Sequence, residues 1–173
     1  MSTVQDLTSI VPPPSDIVTA WDWDQIHRDL GFVTPSDYQQ IINAYGNGKF
    51  DDFLRVFAPT DLSSQIKTKR EALHMSADSE ELFGVPPEVM PYPIESLAAC
   101  AYSDNGDVIY WRTQDSADPN KWPVVIHATR DEEWDEYEGT ILDFLVAIFD
   151  RSYVCPLFPD SFPDANGSMF APQ

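Results

Sequence analysis

The sequence predicts a single α+β domain in which an antiparallel β-meander packs with about four helices. Three observations carry that reading. Between Trp21 and Leu73, apolar residues recur at helical spacing behind residues suited to capping. Between Ser96 and Thr129, β-branched and aromatic residues fall in three runs separated by turn chemistry. One further apolar helical pattern lies at 140–150. A chain of 173 residues that is 43% hydrophobic needs only one core. The expected division is an arm or short helix over 1–20, the domain over 21–155, and a tail over 156–173 docked on it.

Each element has a local cause. Val4, Leu7 and Ile10 are spaced by three, as in a short amphipathic helix, and Pro12, Pro13 and Pro14 stop it because each ring fixes φ and removes a donor. Trp23, Ile26 and Leu30 form the stripe of a helix that Asp22 caps and Gly31 ends. The next helix opens on Thr34-Pro35-Ser36-Asp37, where Thr34 caps, Pro35 suits the first helical position and Asp37 faces the positive end of the dipole. Tyr38, Ile41, Ile42 and Tyr45 make its apolar stripe, and Gly46 and Gly48 let the chain turn away. Phe53 to Phe57 reads as a short buried strand stopped by Pro59. Asp61 then caps a third helix with Leu62, Ile66 and Leu73 inward, and Gly84, Pro86, Pro87, Pro91 and Pro93 break the next stretch into loop.

The second half changes character. Ser96 to Tyr102 is a strand, Ser103-Asp104-Asn105-Gly106 a hairpin turn, and Asp107 to Thr113 the returning strand. After a polar turn, Trp122 to Thr129 completes the meander. Asp131 to Glu138, DEEWDEYE, reads as a solvated loop anchored in the core by Trp134 and Tyr137. Thr140 caps a last helix whose apolar face is Ile141, Phe144, Leu145 and Ile148. Pro156, Pro159, Pro163 and Pro172 deny the tail regular structure of its own, while its aromatics favour docking.

Trp23, Leu30-Gly31, Thr34-Pro35-Ser36-Asp37-Tyr38, Tyr45-Gly46-Asn47-Gly48, Phe53-Leu54, Asn105-Gly106-Asp107, Trp111, Trp122-Pro123-Val124-Val125 and Phe144-Leu145 stand in an order that resembles the SUKH superfamily over residues 21–150. Two departures stand out. Val33-Thr34-Pro35 replaces a leucine-proline pair, and Tyr45-Gly46-Asn47-Gly48 replaces an Asn-Gly-Gly-like turn. The resemblance implies an α+β domain that is not an enzyme, and no cofactor is expected. It also implies an immunity protein that neutralises a toxin domain, often a nuclease, of a polymorphic toxin system, with an intracellular regulator or scaffold as the alternative.

Charge and composition bound the partners. Twenty-nine acids against ten bases give a net charge of −19 and a pI near 4.1. Such a field repels phosphate backbones and speeds association with a basic protein, so nucleic acid is excluded and a basic toxin domain is favoured. Solubility alone is the competing explanation. The longest apolar run, 145–149, is far short of the ~20 residues a membrane helix needs, and no basic leader stands at the start, so a cytoplasmic protein is expected. Cys100 and Cys155 lack CxxC spacing and read as reduced, buried thiols.

The candidate partner-binding residues are Asp51 and Asp52 beside the glycine turn, and Asp131, Glu132, Glu133, Trp134, Asp135, Glu136, Tyr137 and Glu138. The carboxylates suit a cationic partner, and the two aromatics suit contact hot spots. No catalytic or metal-binding residue is assigned. Asp22 and Asp24 point about 200° apart on a helix, poor geometry for sharing an ion with His27. His27 and His74 read as surface residues and His127 as a strand residue. An acid-base hydrolase would need one carboxyl with a raised pKa in a cleft. Trp111 and Trp122, on adjacent strands, read as core.

Overall fold

The computed structural model describes residues 1–15, 20–83, 90–131 and 133–173. Its α-helices are α1 (Val4–Ile10), α2 (Trp23–Leu30), α3 (Ser36–Tyr45), α4 (Pro59–Phe83) and α5 (Ile141–Phe149). Its strands are β1 (Gly48–Phe50), β2 (Leu54–Val56), β3 (Leu97–Ser103), β4 (Val108–Arg112), β5 (Val124–Ala128), β6 (Glu133–Tyr137) and β7 (Phe170–Pro172). All seven join one antiparallel sheet in the order β6-β5-β4-β3-β2-β1-β7. The expected meander, β3-β4-β5, is therefore the middle of a wider sheet.

Several ends form as the sequence dictates. The Asp22 side chain accepts the Gln25 N–H at 3.0 Å and caps α2, and Gly31 ends it with φ +76°. Thr140 and Asp143 close a capping box on α5. At α3 the expectation fails by one residue. Pro35 occupies the cap position without a side-chain bond, because the Thr34 hydroxyl is buried against the His27 ring at 2.9 Å and the Gln39 amide at 3.1 Å. The Asp37 carboxylate instead reaches across to accept the Leu142 N–H at 3.1 Å, tying α3 to the start of α5.

Other departures have tertiary causes. Pro59, expected only to stop a strand, opens α4, since its missing N–H costs nothing at the first helical turn. Asp61 accordingly lies inside the first turn of α4 instead of capping it. Gly48 starts a strand and not only a turn, because β7 pairs with it. The tail, expected to be irregular, supplies that strand. Asp131 to Glu138, expected to be a loop, is mostly β6, paired residue for residue with β5. Of the expected proline loop, Gly84, Pro86 and Pro87 lie outside the described residues.

The two sheet faces differ. One receives α3 and α5, against which α1 packs in turn, with Trp111 against Tyr38 at 5.2 Å, Phe50 against Phe149 at 5.4 Å, and Tyr137 against Phe144 at 5.6 Å. Leu7 and Val11 of the N-terminal arm are fully buried there, and the Tyr45 hydroxyl donates to the Val11 carbonyl at 2.6 Å. The other face receives α4, whose Arg70 donates to the Leu97 carbonyl at 2.8 Å. Beside α4 an apolar cleft of about 380 Å³ runs between Ala72, Leu73, Val108, Tyr110 and His127. Trp111 and Trp122 are both buried and 6.3 Å apart, in the core as expected.

Candidate functional site

The two candidate patches lie far apart. β6 and β1 are separated by five strand steps, about 24 Å at ordinary sheet spacing.

At the first patch, Asp51 and Asp52 take φ of +50° and +51° in the turn between β1 and β2, closed by the Phe53 N–H donating to the Phe50 carbonyl at 2.9 Å. Positive φ at both central positions is the hairpin geometry that Asp tolerates better than most residues. The half-buried Asp51 carboxylate then accepts the Asp164 N–H at 2.9 Å, the Ser168 hydroxyl at 2.8 Å and the Met169 N–H at 2.7 Å. It holds the tail. Asp52 is exposed.

At the second patch, alternation along β6 sends Trp134 and Glu136 to the α4 face and Glu133, Asp135 and Tyr137 to the α5 face. Trp134 stacks on His127, with centroids 4.2 Å apart and planes 15° apart, and meets Tyr92 edge-on at 5.5 Å. Tyr137 packs between Phe144 and Tyr153, and its hydroxyl donates to the Asp143 carbonyl at 3.2 Å. Both aromatics are half-buried, each anchoring one side of the strand.

The carboxylates are treated unequally. Asp135 accepts a hydrogen bond from the Tyr153 hydroxyl, and Glu136 one from the Tyr92 hydroxyl. Arg112 lies 3.0 Å from Glu136, 3.7 Å from Glu138 and 2.5 Å from Asp115, with its guanidinium 5.1 Å from the Tyr92 ring centre. Asp131 and Glu133 are exposed and form no ion pair with a described residue, and Glu132 lies outside the described residues. Arg112 and Tyr92 escaped the sequence reading. The available signal was an arginine at the end of the apolar alternation Val108, Tyr110, Arg112, which shares its strand face with Glu136.

Titration behaviour reflects these surroundings. Burial pushes the Tyr92 and Tyr153 hydroxyls up, helped by the hydrogen bonds to Glu136 and Asp135. Burial raises the Cys155 thiol to about 12, and Cys100 is raised as well, so both are inert thiols. Asp107 is the one described carboxyl displaced upward, by burial, against the Ser103 hydroxyl that donates to it at 2.5 Å. That bond belongs to the β3–β4 hairpin, where the Asp107 and Asn105 N–H groups also converge on Ser103 Oγ.

Among the described residues, no group of three His, Cys, Asp or Glu is placed to hold a metal, and no helix is long and apolar enough to cross a membrane. His27 is half-buried on Thr34 instead of at the surface, His74 is exposed beside Glu95 at 3.1 Å, and His127 is buried under Trp134. Compared with protein-family models, curated proteins and solved structures, the chain matches none.

Proposed function

We propose that this chain is a non-catalytic protein-binding domain whose acidic β6 strand receives a basic protein, and that it acts as an immunity protein occluding a cationic, nuclease-type toxin. The observation that carries the binding reading is the row of carboxylates along β6. Six of the eight residues 131–138 are acids; of these Glu133, Asp135 and Glu136 stand on β6, and Arg112 is paired with Glu136 and Glu138, on a chain of net charge −19. Such a surface speeds encounter with a cation-rich partner and loses that advantage in salt. The toxin reading comes from the SUKH resemblance over 21–150.

Asp51 is a weaker candidate than β6, because its oxygens are already used by the tail. Capture of a partner from the native lysate, followed by titration at low and high salt, tests the charge argument. The expected partner is basic and binds more weakly as salt rises; an acidic partner indifferent to salt would sink it. Co-expression tests the immunity role, which requires rescue of cells from one specific toxin. Rescue from none would leave a regulatory or scaffolding domain.

A further inference from the structure

The β4–β5–β6 register determines which backbone groups of β6 face outward. The Arg112 N–H donates to the Pro123 carbonyl at 3.0 Å, so the groups of Val125 and His127, two and four residues on from Pro123, also point toward β4. Those of Val124, Ile126 and Ala128 then point to β6, where they meet Tyr137, Asp135 and Glu133. The N–H and C=O groups of Trp134 and Glu136 are left on the outer side. No described residue bonds them, and β6 ends the sheet order. The opposite end of the sheet is closed by the chain's own tail through β7.

From this geometry we infer that a basic extended segment of the partner adds to the sheet as an eighth strand alongside β6, bonding to the outward groups of Trp134 and Glu136. The inference rests on the protein-binding reading above and specifies its mode. Charge decides the occupant. Side chains of an added strand stand about 5 Å from their neighbours on each face, so its alternate residues would face Glu136 on one side and Glu133 and Asp135 on the other. A second copy of β6 would bring like charges together and is disfavoured, whereas Lys or Arg at alternate positions share one face of the added strand and meet carboxylates whichever face that is. Arg112, one strand further in beyond β5, steadies Glu136 without occupying the edge.

The test uses the full chain and an eight-residue peptide alternating Arg and Thr, at low salt. Hydrogen exchange at the Trp134 and Glu136 amides is followed by NMR, and affinity is compared for Glu136→Gln and Glu136→Pro. Both variants lose the charge, and only the proline loses the outward N–H, at a position an edge strand tolerates. Strand addition predicts slowed exchange at both amides and binding about tenfold weaker in Glu136→Pro than in Glu136→Gln. Should Glu136→Pro not fold, a peptide N-methylated at every residue replaces it, with the same loss expected. Equal binding to both variants, or of both peptides, with the two amides still exchanging freely would overturn strand addition and leave the acidic-surface reading standing. No binding of the peptide to the unaltered chain would overturn both.

Discussion

The two ends of the sheet solve the same problem in opposite ways. At the β1 end the chain covers the edge itself. β7 pairs Phe170, Ala171 and Pro172 with Phe50, Lys49 and Gly48, and Phe170 packs 4.9 Å from Phe50 and 5.0 Å from Tyr45. Gly48 is required for that closure, because a Cβ there would stand 2.3 Å from the Ala171 carbonyl oxygen. At the β6 end nothing described covers the outer groups, and carboxylates line the strand. Charge on an uncovered edge blocks indiscriminate strand pairing. It also admits a strand of opposite sign. Carboxylates consequently serve contrary purposes within one chain: Asp51 is used internally on the tail, and Glu133 is left to solvent.

That contrast can be broken experimentally, starting at the closed end. Phe50→Ala removes the ring shared by Tyr45, Phe149 and Phe170 and should cost about 3–5 kcal/mol in chemical denaturation. A loss below about 1 kcal/mol would mean that β1 and β7 are not part of the cooperative core. Asp51→Ala removes the acceptor for three donors and strains a residue at φ +50°; a loss of about 2–3 kcal/mol is expected, with faster exchange of the Met169 amide. An unchanged Met169 amide would show that the tail is held without it.

Asp143 is a second internally employed carboxylate. Burial alone would raise its pKa, but bonds from Ser2 and Thr140 together outweigh that and hold it below its ordinary value of 3.8. Its folded pKa is depressed, so its contribution is complete above the ordinary value and is lost as pH falls through the folded one. Asp143→Asn should therefore flatten the fall in stability below about pH 4, read from melting temperature against pH. An acid limb of unchanged steepness would count against this role. The smallest effect is expected at the open end. Glu133→Gln should change stability by less than about 0.5 kcal/mol while slowing association with a basic partner at low salt. A large stability change there would make β6 structural and erase the contrast.

Legibility varied along the chain for physical reasons. The caps Asp22 and Thr140, the stripe Tyr38, Ile41, Ile42 and Tyr45, and the hairpin at 103–106 were readable because each depends on residues a few positions apart. Thr34 misled because its hydroxyl is claimed by His27 and Gln39 once the helices pack. β6 was hidden because carboxylates mask the alternation of a strand, and only Trp134 and Tyr137, on opposite faces, betray it. The acidic run itself was visible as a candidate surface. Its Arg112–Tyr92 support was not, since those residues meet it through strand pairing and a returning loop.

Local sequence was enough for a single α+β domain, its helix boundaries to within a few residues, its meander, its buried aromatics and its acidic field. These come from periodicity, capping and composition, which act over short separations or need no geometry. Long-range packing had to supply the strand order, the use of the tail as β7 and the outward aim of the Trp134 and Glu136 backbone groups. Gly48 and Pro172 pair across more than a hundred intervening residues, and which backbone groups remain free depends on every pairing between.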